Sequence, residues 1–116
     1  MHFAQMHLNK GVYNDKRLVS EEAINIMRTN QLPENIPNIG PSYAGNQFGV
    51  DFAIVNDSEK ADGLPVGTHW WWGIAGSWFW IDPVENIVFV GMINHDDLRY
   101  ARGLHSKTRQ LIYRPL

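Results

Sequence analysis

All five tryptophans of the chain stand within the eleven positions from Trp70 to Trp80, in the run His69-Trp70-Trp71-Trp72-Gly73-Ile74-Ala75-Gly76-Ser77-Trp78-Phe79-Trp80. Gly67 precedes the run, and the turn-forming pair Asp82-Pro83 closes it. An indole is among the largest apolar surfaces a protein can hide, so five together demand either a dense core or an aromatic-lined cleft. On extended backbone, Trp70 and Trp72 point to one side and Trp71 to the other, while Trp78 and Trp80 share a side against Phe79. At least half of the indoles are therefore expected to fill a helix-covered face, and the rest to line a groove.

The surrounding composition narrows the choice of partner. A chain of 116 residues builds one core, and 44% apolar against 19% charged residues is ordinary for a globular unit. A net charge of −2 creates no field that would recruit nucleic acid or an anionic membrane surface. The absence of cysteine excludes disulfides, thiolate catalysis and cysteine-ligated metals. No stretch reaches the roughly 18 apolar residues of a membrane span. The segment from Met1 to Met6 lacks the basic start and apolar core of a secretory signal. A chain truly starting at Met1 is thus expected in the cytoplasm; for a fragment the location is open, the periplasm included.

Periodicity divides the single domain into a helical part (1–32), a loop (33–46), antiparallel strands (47–94) and a last helix (95–114). Phe3, Met6, His7 and Lys10 recur at helical spacing, and Gly11 follows where a left-handed cap would sit. No Ser, Thr, Asp or Asn precedes this helix to cap it, as expected of a longer element cut short. Ser20, followed by Glu21 and Glu22, marks a clear N-terminus for a helix burying Ala23, Ile26 and Met27. Pro33, Pro37 and Pro41 then forbid helix. Phe48, Val50, Phe52 and Ile54 alternate as in one half-buried strand, extended segments are predicted near 68–72 and 76–82, and 86–93 reads as a strand covered on both faces. Asn94 is the expected cap of the last helix, with Leu98, Ala101, Leu104, Thr108, Leu111 and Ile112 on its buried face. The fold class is α+β: an antiparallel sheet of three to four strands with two N-terminal helices and a C-terminal helix packed on it.

Two stretches carry a resemblance. Phe3-Ala4-Gln5-Met6-His7-Leu8-Asn9-Lys10-Gly11, continuing through Arg17-Leu18-Val19-Ser20 to Asn30-Gln31-Leu32, and Phe48-Gly49-Val50-Asp51-Phe52 with Trp72-Gly73-Ile74-Ala75-Gly76-Ser77-Trp78-Phe79-Trp80-Ile81-Asp82-Pro83, are together similar to the C-terminal part of the serine β-lactamase superfamily. That superfamily includes class C β-lactamases, DD-peptidases and esterases of the family VIII type. The resemblance implies acyl transfer through a serine ester. In that family a Ser-x-x-Lys helix supplies nucleophile and base, a Tyr-x-Asn or Tyr-x-Ser loop moves a proton, and a Lys-Thr-Gly, His-x-Gly or Trp-Gly-Gly strand flanks the substrate. It places Trp72, Gly73, Ile74, Ala75 and Gly76 at the third motif, with the Ala75 N–H as candidate oxyanion donor, since a glycine-rich edge strand lets an acyl group lie against bare backbone.

Ile74 departs from the family's second glycine and sets a β-branched side chain where substrate approaches. Ser20, Ser42, Ser58, Ser77 and Ser106 each lack lysine three positions on, and no tyrosine is followed by Asn or Ser two positions on. A hydrolase fragment without its own nucleophile, inactive alone, is therefore the leading expectation. It would self-associate or pair with a complementary chain, and a small ester, amide or β-lactam is its expected ligand class. Two alternatives are a non-catalytic protein holding a small ligand in a tryptophan-lined groove, and a minimal esterase with His69 beside the pocket as base. Gly40-Pro41-Ser42-Tyr43-Ala44-Gly45 nearly spells a nucleophile elbow, but its second glycine stands one place late, so it reads as loop. His95, Asp96 and Asp97 are the sole local cluster of metal-ligating types, but adjacent residues at a helix start diverge, so neither metal nor cofactor is expected. Arg99, Arg102, Lys107, Arg109 and Arg114 read as a solvated basic face of the last helix.

Overall fold

A computed structural model describes residues 1–113, so Arg114 lies outside the described residues. The elements run α1 (His2–Leu8), β1 (Val12–Tyr13), β2 (Lys16–Arg17), α2 (Glu21–Met27), a 3-10 turn (Pro41–Tyr43), β3 (Asn46–Phe48), β4 (Ala53–Val55), β5 (His69–Trp72), β6 (Trp78–Asp82), β7 (Ile87–Gly91) and α3 (Leu98–Tyr113). The α+β class holds, with five strands in the main sheet in place of three to four. They form an antiparallel meander in the order β3-β4-β5-β6-β7.

Two turns account for the extra strands. Asn14 and Asp15 both adopt positive φ, 48° and 60°, between the paired residues Tyr13 and Lys16. Asn and Asp tolerate that region, and two such residues close the tightest hairpin, so β1 and β2 arise where only a connection was expected. The single strand expected over Phe48 to Ile54 is instead a hairpin. Phe48 pairs with Ala53, the Gly49 N–H donates to the Phe52 carbonyl at 2.9 Å, and Asp51 turns the chain at φ 69°. Val50 is thereby exposed, and Phe52 folds back against the rings of His7 and His69.

The helices show which side chains anchor them. In α1 no side chain caps the first turn, as the sequence implies. In α2 the Ser20 hydroxyl accepts the Ala23 N–H at 3.1 Å. Its fully buried residue is Ile24, while Ile26 faces solvent and Ala23 and Met27 are half-buried. A helix of seven residues has room for one central anchor, and the backbone of the 49–52 turn occupies its end through Val50 N–H to Met27 carbonyl. The cap of α3 is Asp97, not Asn94: Asp97 Oδ1 accepts from Arg99 and Tyr100 N–H at 2.8 and 3.3 Å. His95 N–H is tied back to the Ala75 carbonyl at 2.9 Å, which keeps residues 94–96 out of the helix. The buried stripe of α3 is Ala101, His105 and Arg109, with Leu111 and Ile112 exposed.

The core lies between the sheet, α3 and the 56–67 connection, around Ala53, Val55, Ala61, Leu64, Trp70, Trp78 and Trp80. Gly91 permits it: a Cβ there would stand 2.5 Å from the Trp78 ring, so only a bare backbone lets β7 run beside that indole. The expected turn at Asp82-Pro83 closes β6 onto β7, and Asp82 is fully buried. Its Oδ1 takes the N–H groups of Val84 and Glu85, and its Oδ2 accepts the Tyr113 hydroxyl at 2.8 Å.

Candidate functional site

The Trp-Gly segment is the end of a strand followed by a tight turn. Gly73 N–H donates to the Ser77 carbonyl and Gly76 N–H to the Gly73 carbonyl, both at 2.8 Å, while Gly76 adopts φ 90°. Only His69 and Trp70 of β5 pair with β4, so Trp71 and Trp72 are bound to β6 alone and their other edge is open. The motif strand is thus not the expected edge strand, since β5 lies inside the sheet; only its Trp71-Trp72 end is without a partner on the β4 side. Ile74 is 80% exposed at the tip of the turn. The N–H groups of Ile74 and Ala75 have no acceptor among the described residues. Two adjacent unpaired amides beside an open strand edge are the elements from which an oxyanion-binding turn is made.

Register separates the tryptophans. Trp70 stands opposite Trp80 and Trp72 opposite Trp78, so four indoles share one face. That face is roofed by α3: His105 lies 4.3 Å from Trp78 by ring centroid, Arg109 sits 4.4 Å over Trp70 and Arg102 5.7 Å over Trp72. Phe52, His69 and Phe79 occupy the opposite face, beneath α1.

On the α1 side opens a cleft of about 300 Å³. Its walls are Met1, Phe3 and Ala4, the strand ends Trp71-Trp72-Gly73 and Ser77-Trp78-Phe79, and Val90-Gly91-Met92. Of the residues expected at the site, Trp72 and Gly73 line this cleft. Ile74, Ala75 and Gly76 form the turn held between lining residues Gly73 and Ser77. The contributions of Phe3 and Met92 had one trace in the sequence, their apolar character at the two ends of the chain's elements; both are exposed, Met92 at 81%.

His69 is drawn away from the cleft. It is fully buried against His7, with centroids 5.8 Å apart, and none of the four ring nitrogens has a hydrogen-bond partner among the described residues. Burial pulls the His69 pKa down to about 3, helped by the charges of Arg28 and His7. Burial and Arg28 pull His7 down to about 4, and Arg28 itself donates to the His7 carbonyl. Both imidazoles are therefore neutral, interior rings at pH 7. Ser42 lies in the 3-10 turn, not at a strand-to-helix elbow, and His95 Nδ1 accepts the Asp97 N–H at 3.0 Å as part of the α3 cap.

This arrangement of helix, meander and C-terminal helix is that of the C-terminal part of the serine β-lactamase fold. Simvastatin synthase (LovD) from Aspergillus terreus superposes with a TM-score of 0.71 at 16% identity, over 96% of this chain and 31% of that one. EstCE1, a hydrolase with promiscuous acyltransferase activity, gives 0.69 at 20% identity, over 91% of this chain and 27% of that one. In sequence the chain is similar to protein Rv1367c of Mycobacterium tuberculosis, 29% identical over 103 residues, and spans 26% of that relative's length. No protein-family model matches the chain.

Proposed function

We propose that this chain is the substrate-flanking wall of a serine acyl-transfer site. In this reading the Ala75 N–H is an oxyanion donor, and the nucleophilic serine with its lysine belongs to polypeptide outside this chain. The observation that carries it is the unpaired Ala75 amide, next to the open edge of Trp71-Trp72 and the cleft lined by Gly73 and Ser77. Met1, Phe3 and Met92 leave the cleft rim apolar and exposed, which fits a surface meant to be covered. A chain spanning 26% to 31% of the proteins it matches has ample missing sequence to supply that cover, either as a complementary chain or, for an isolated copy, as a second copy of itself. Ester hydrolysis or transfer is the corresponding chemistry, in line with the hydrolase and acyltransferase activities named for EstCE1.

The test is incubation with a fluorophosphonate and a chromogenic ester, read by intact mass and absorbance. The chain alone is expected to give neither adduct nor turnover, and both are expected to appear on adding a complementary polypeptide bearing Ser-x-x-Lys. A stoichiometric adduct on Ser42 or Ser77 of the isolated chain would overturn the proposal in favour of a minimal esterase. Because the cleft is aromatic and about 300 Å³, saturable tryptophan quenching by a small apolar ligand, with no rescue by the complementary polypeptide, would favour a binding protein instead.

A further inference from the structure

A second, smaller cleft lies on the opposite face of the sheet, under α3, and its chemistry differs from the first. It encloses about 140 Å³ between the 40s loop, the Trp70–Trp72 edge of the sheet and the inner side of α3. Arg102 and Arg109 are seven residues apart, two helical turns, and each guanidinium lies over a different indole of β5, Trp72 and Trp70 respectively. The Arg109 side chain is 7% exposed. Its Nε is buried with no acceptor among the described residues, and its Nη1 stands 3.7 Å from Asp62 Oδ2, beyond hydrogen-bond length. A guanidinium this deeply buried, with its Nε unpaired and its carboxylate partner no nearer than 3.7 Å, has donor capacity left for a closer acceptor.

The indole donors around the cleft are already placed. Trp70 Nε1 gives its hydrogen to Asn46 Oδ1 at 2.8 Å, and Trp72 Nε1 gives its own to the Tyr43 hydroxyl at 3.1 Å. Tyr43, having accepted, keeps its own hydroxyl hydrogen to donate. His105 Nε2 is engaged with the Gly76 carbonyl at 3.0 Å, and burial lowers the pKa of its ring, so it adds no charge at pH 7. Two guanidiniums against the single carboxylate of Asp62 leave one net positive charge facing a small cavity with indole walls.

We propose that this cleft binds a small monoanionic carboxylate, held by the Arg109 fork, the more exposed Arg102 and the Tyr43 hydroxyl, with its apolar end against Trp70 and Trp72. The planar guanidinium pairs a carboxylate through two parallel hydrogen bonds, and the single net charge favours a monoanion over a phosphate dianion. Trp72 borders both clefts, so this site adjoins the acyl-transfer wall at the end of β5 while its charged donors, Arg102 and Arg109, line only the α3 side.

The test titrates the full chain with sodium acetate and sodium butyrate against sodium chloride at matched ionic strength. Tryptophan fluorescence and the indole N–H resonances of Trp70 and Trp72 are the readouts. Both carboxylates are expected to saturate the response, butyrate more tightly, and chloride not to. R109Q and R102Q should each weaken binding by roughly tenfold, and D62N, which removes the competing carboxylate, should tighten it several-fold. Should R109Q fail to fold, R102Q and D62N decide the question, since both side chains are surface-accessible. Absence of saturation, an unchanged response in R102Q, weaker or equal binding in D62N, or tighter binding of inorganic phosphate than of acetate would each overturn the assignment.

Discussion

Two neutral histidines buried against each other make stability depend steeply on pH. His7 and His69 are both fully buried, with pKa values near 4 and 3, whereas in the unfolded chain both titrate near 6.5. Above pH 6.5 neither state carries the protons, and the pair costs nothing on this account. As pH falls below 6.5 the unfolded chain binds protons that the native one refuses, so stability falls, until the folded values are reached and the loss levels off. The gap between 6.5 and about 4 amounts to roughly 3 kcal/mol for His7, and His69 contributes a loss of the same order. With both acting, the slope reaches about 2.7 kcal/mol per pH unit between pH 6 and 4, a loss of about 5 kcal/mol across that window, which matches the low end of ordinary domain stability, about 5–15 kcal/mol. His69→Phe isolates the effect. Its ring lies among Phe52, His7 and the α1 face, and its nitrogens make no hydrogen bond of good geometry, so an apolar ring should change stability by no more than about 1 kcal/mol at pH 7.5. The variant should lose about half the slope. Urea unfolding followed by tryptophan fluorescence from pH 8 to pH 4 measures both curves, and carboxylate protonation cancels in their difference. A wild-type curve that is flat between pH 6.5 and 4.5, or a His69→Phe curve parallel to it, would refute the reasoning.

Two further substitutions probe the packing. Gly91→Ala places a methyl 2.5 Å from the Trp78 ring and should cost about 1–3 kcal/mol, seen as a lower thermal midpoint; an unchanged midpoint would show that β7 and Trp78 part easily. Tyr113→Phe removes the hydroxyl that donates to the buried Asp82 Oδ2 and should cost about 1–3 kcal/mol in urea unfolding, while leaving the Val84 and Glu85 contacts to Oδ1 in place.

The sequence carried the class, the order of the helices and of the later strands, and the sides to which the tryptophans point, because these follow from the period of apolar residues and from strong punctuation such as Ser20-Glu21-Glu22 and Asp82-Pro83. It misled where a turn keeps an apolar rhythm: Phe48 to Ile54 alternates without interruption, yet the chain reverses at Asp51. The Asn14-Asp15 hairpin was legible in principle, since two neighbouring residues tolerant of positive φ are its signature. Arg109 and His105 were the larger omissions. A hydropathy pattern assigns both to the solvent side of a helix, and selects Leu111 for the core, but Leu111 is exposed while Arg109 is 6% exposed. At the site, Trp72 and Gly73 line the cleft as the motif suggests, whereas nothing local could announce that Phe3 and Met92, 89 positions apart, meet across it.

The reason Arg109 is inside lies in the tryptophan run itself. Four indoles on one sheet face present a broad, flat, electron-rich surface, and a helix covering it gains from flat or cationic groups laid over the rings. The imidazole of His105 on Trp78 and the guanidiniums of Arg109 and Arg102 on Trp70 and Trp72 meet that demand at successive turns of α3. Small Ala101 lets the helix come down onto Gly76, where a Cβ would stand 3.1 Å from that of Ala101. The run thereby commits one face of the sheet to packing under a polar-looking helix. Trp71 alone is left to the other side, where the short α1 covers only part of the sheet and the larger cleft opens beside the unpaired amides of Ile74 and Ala75.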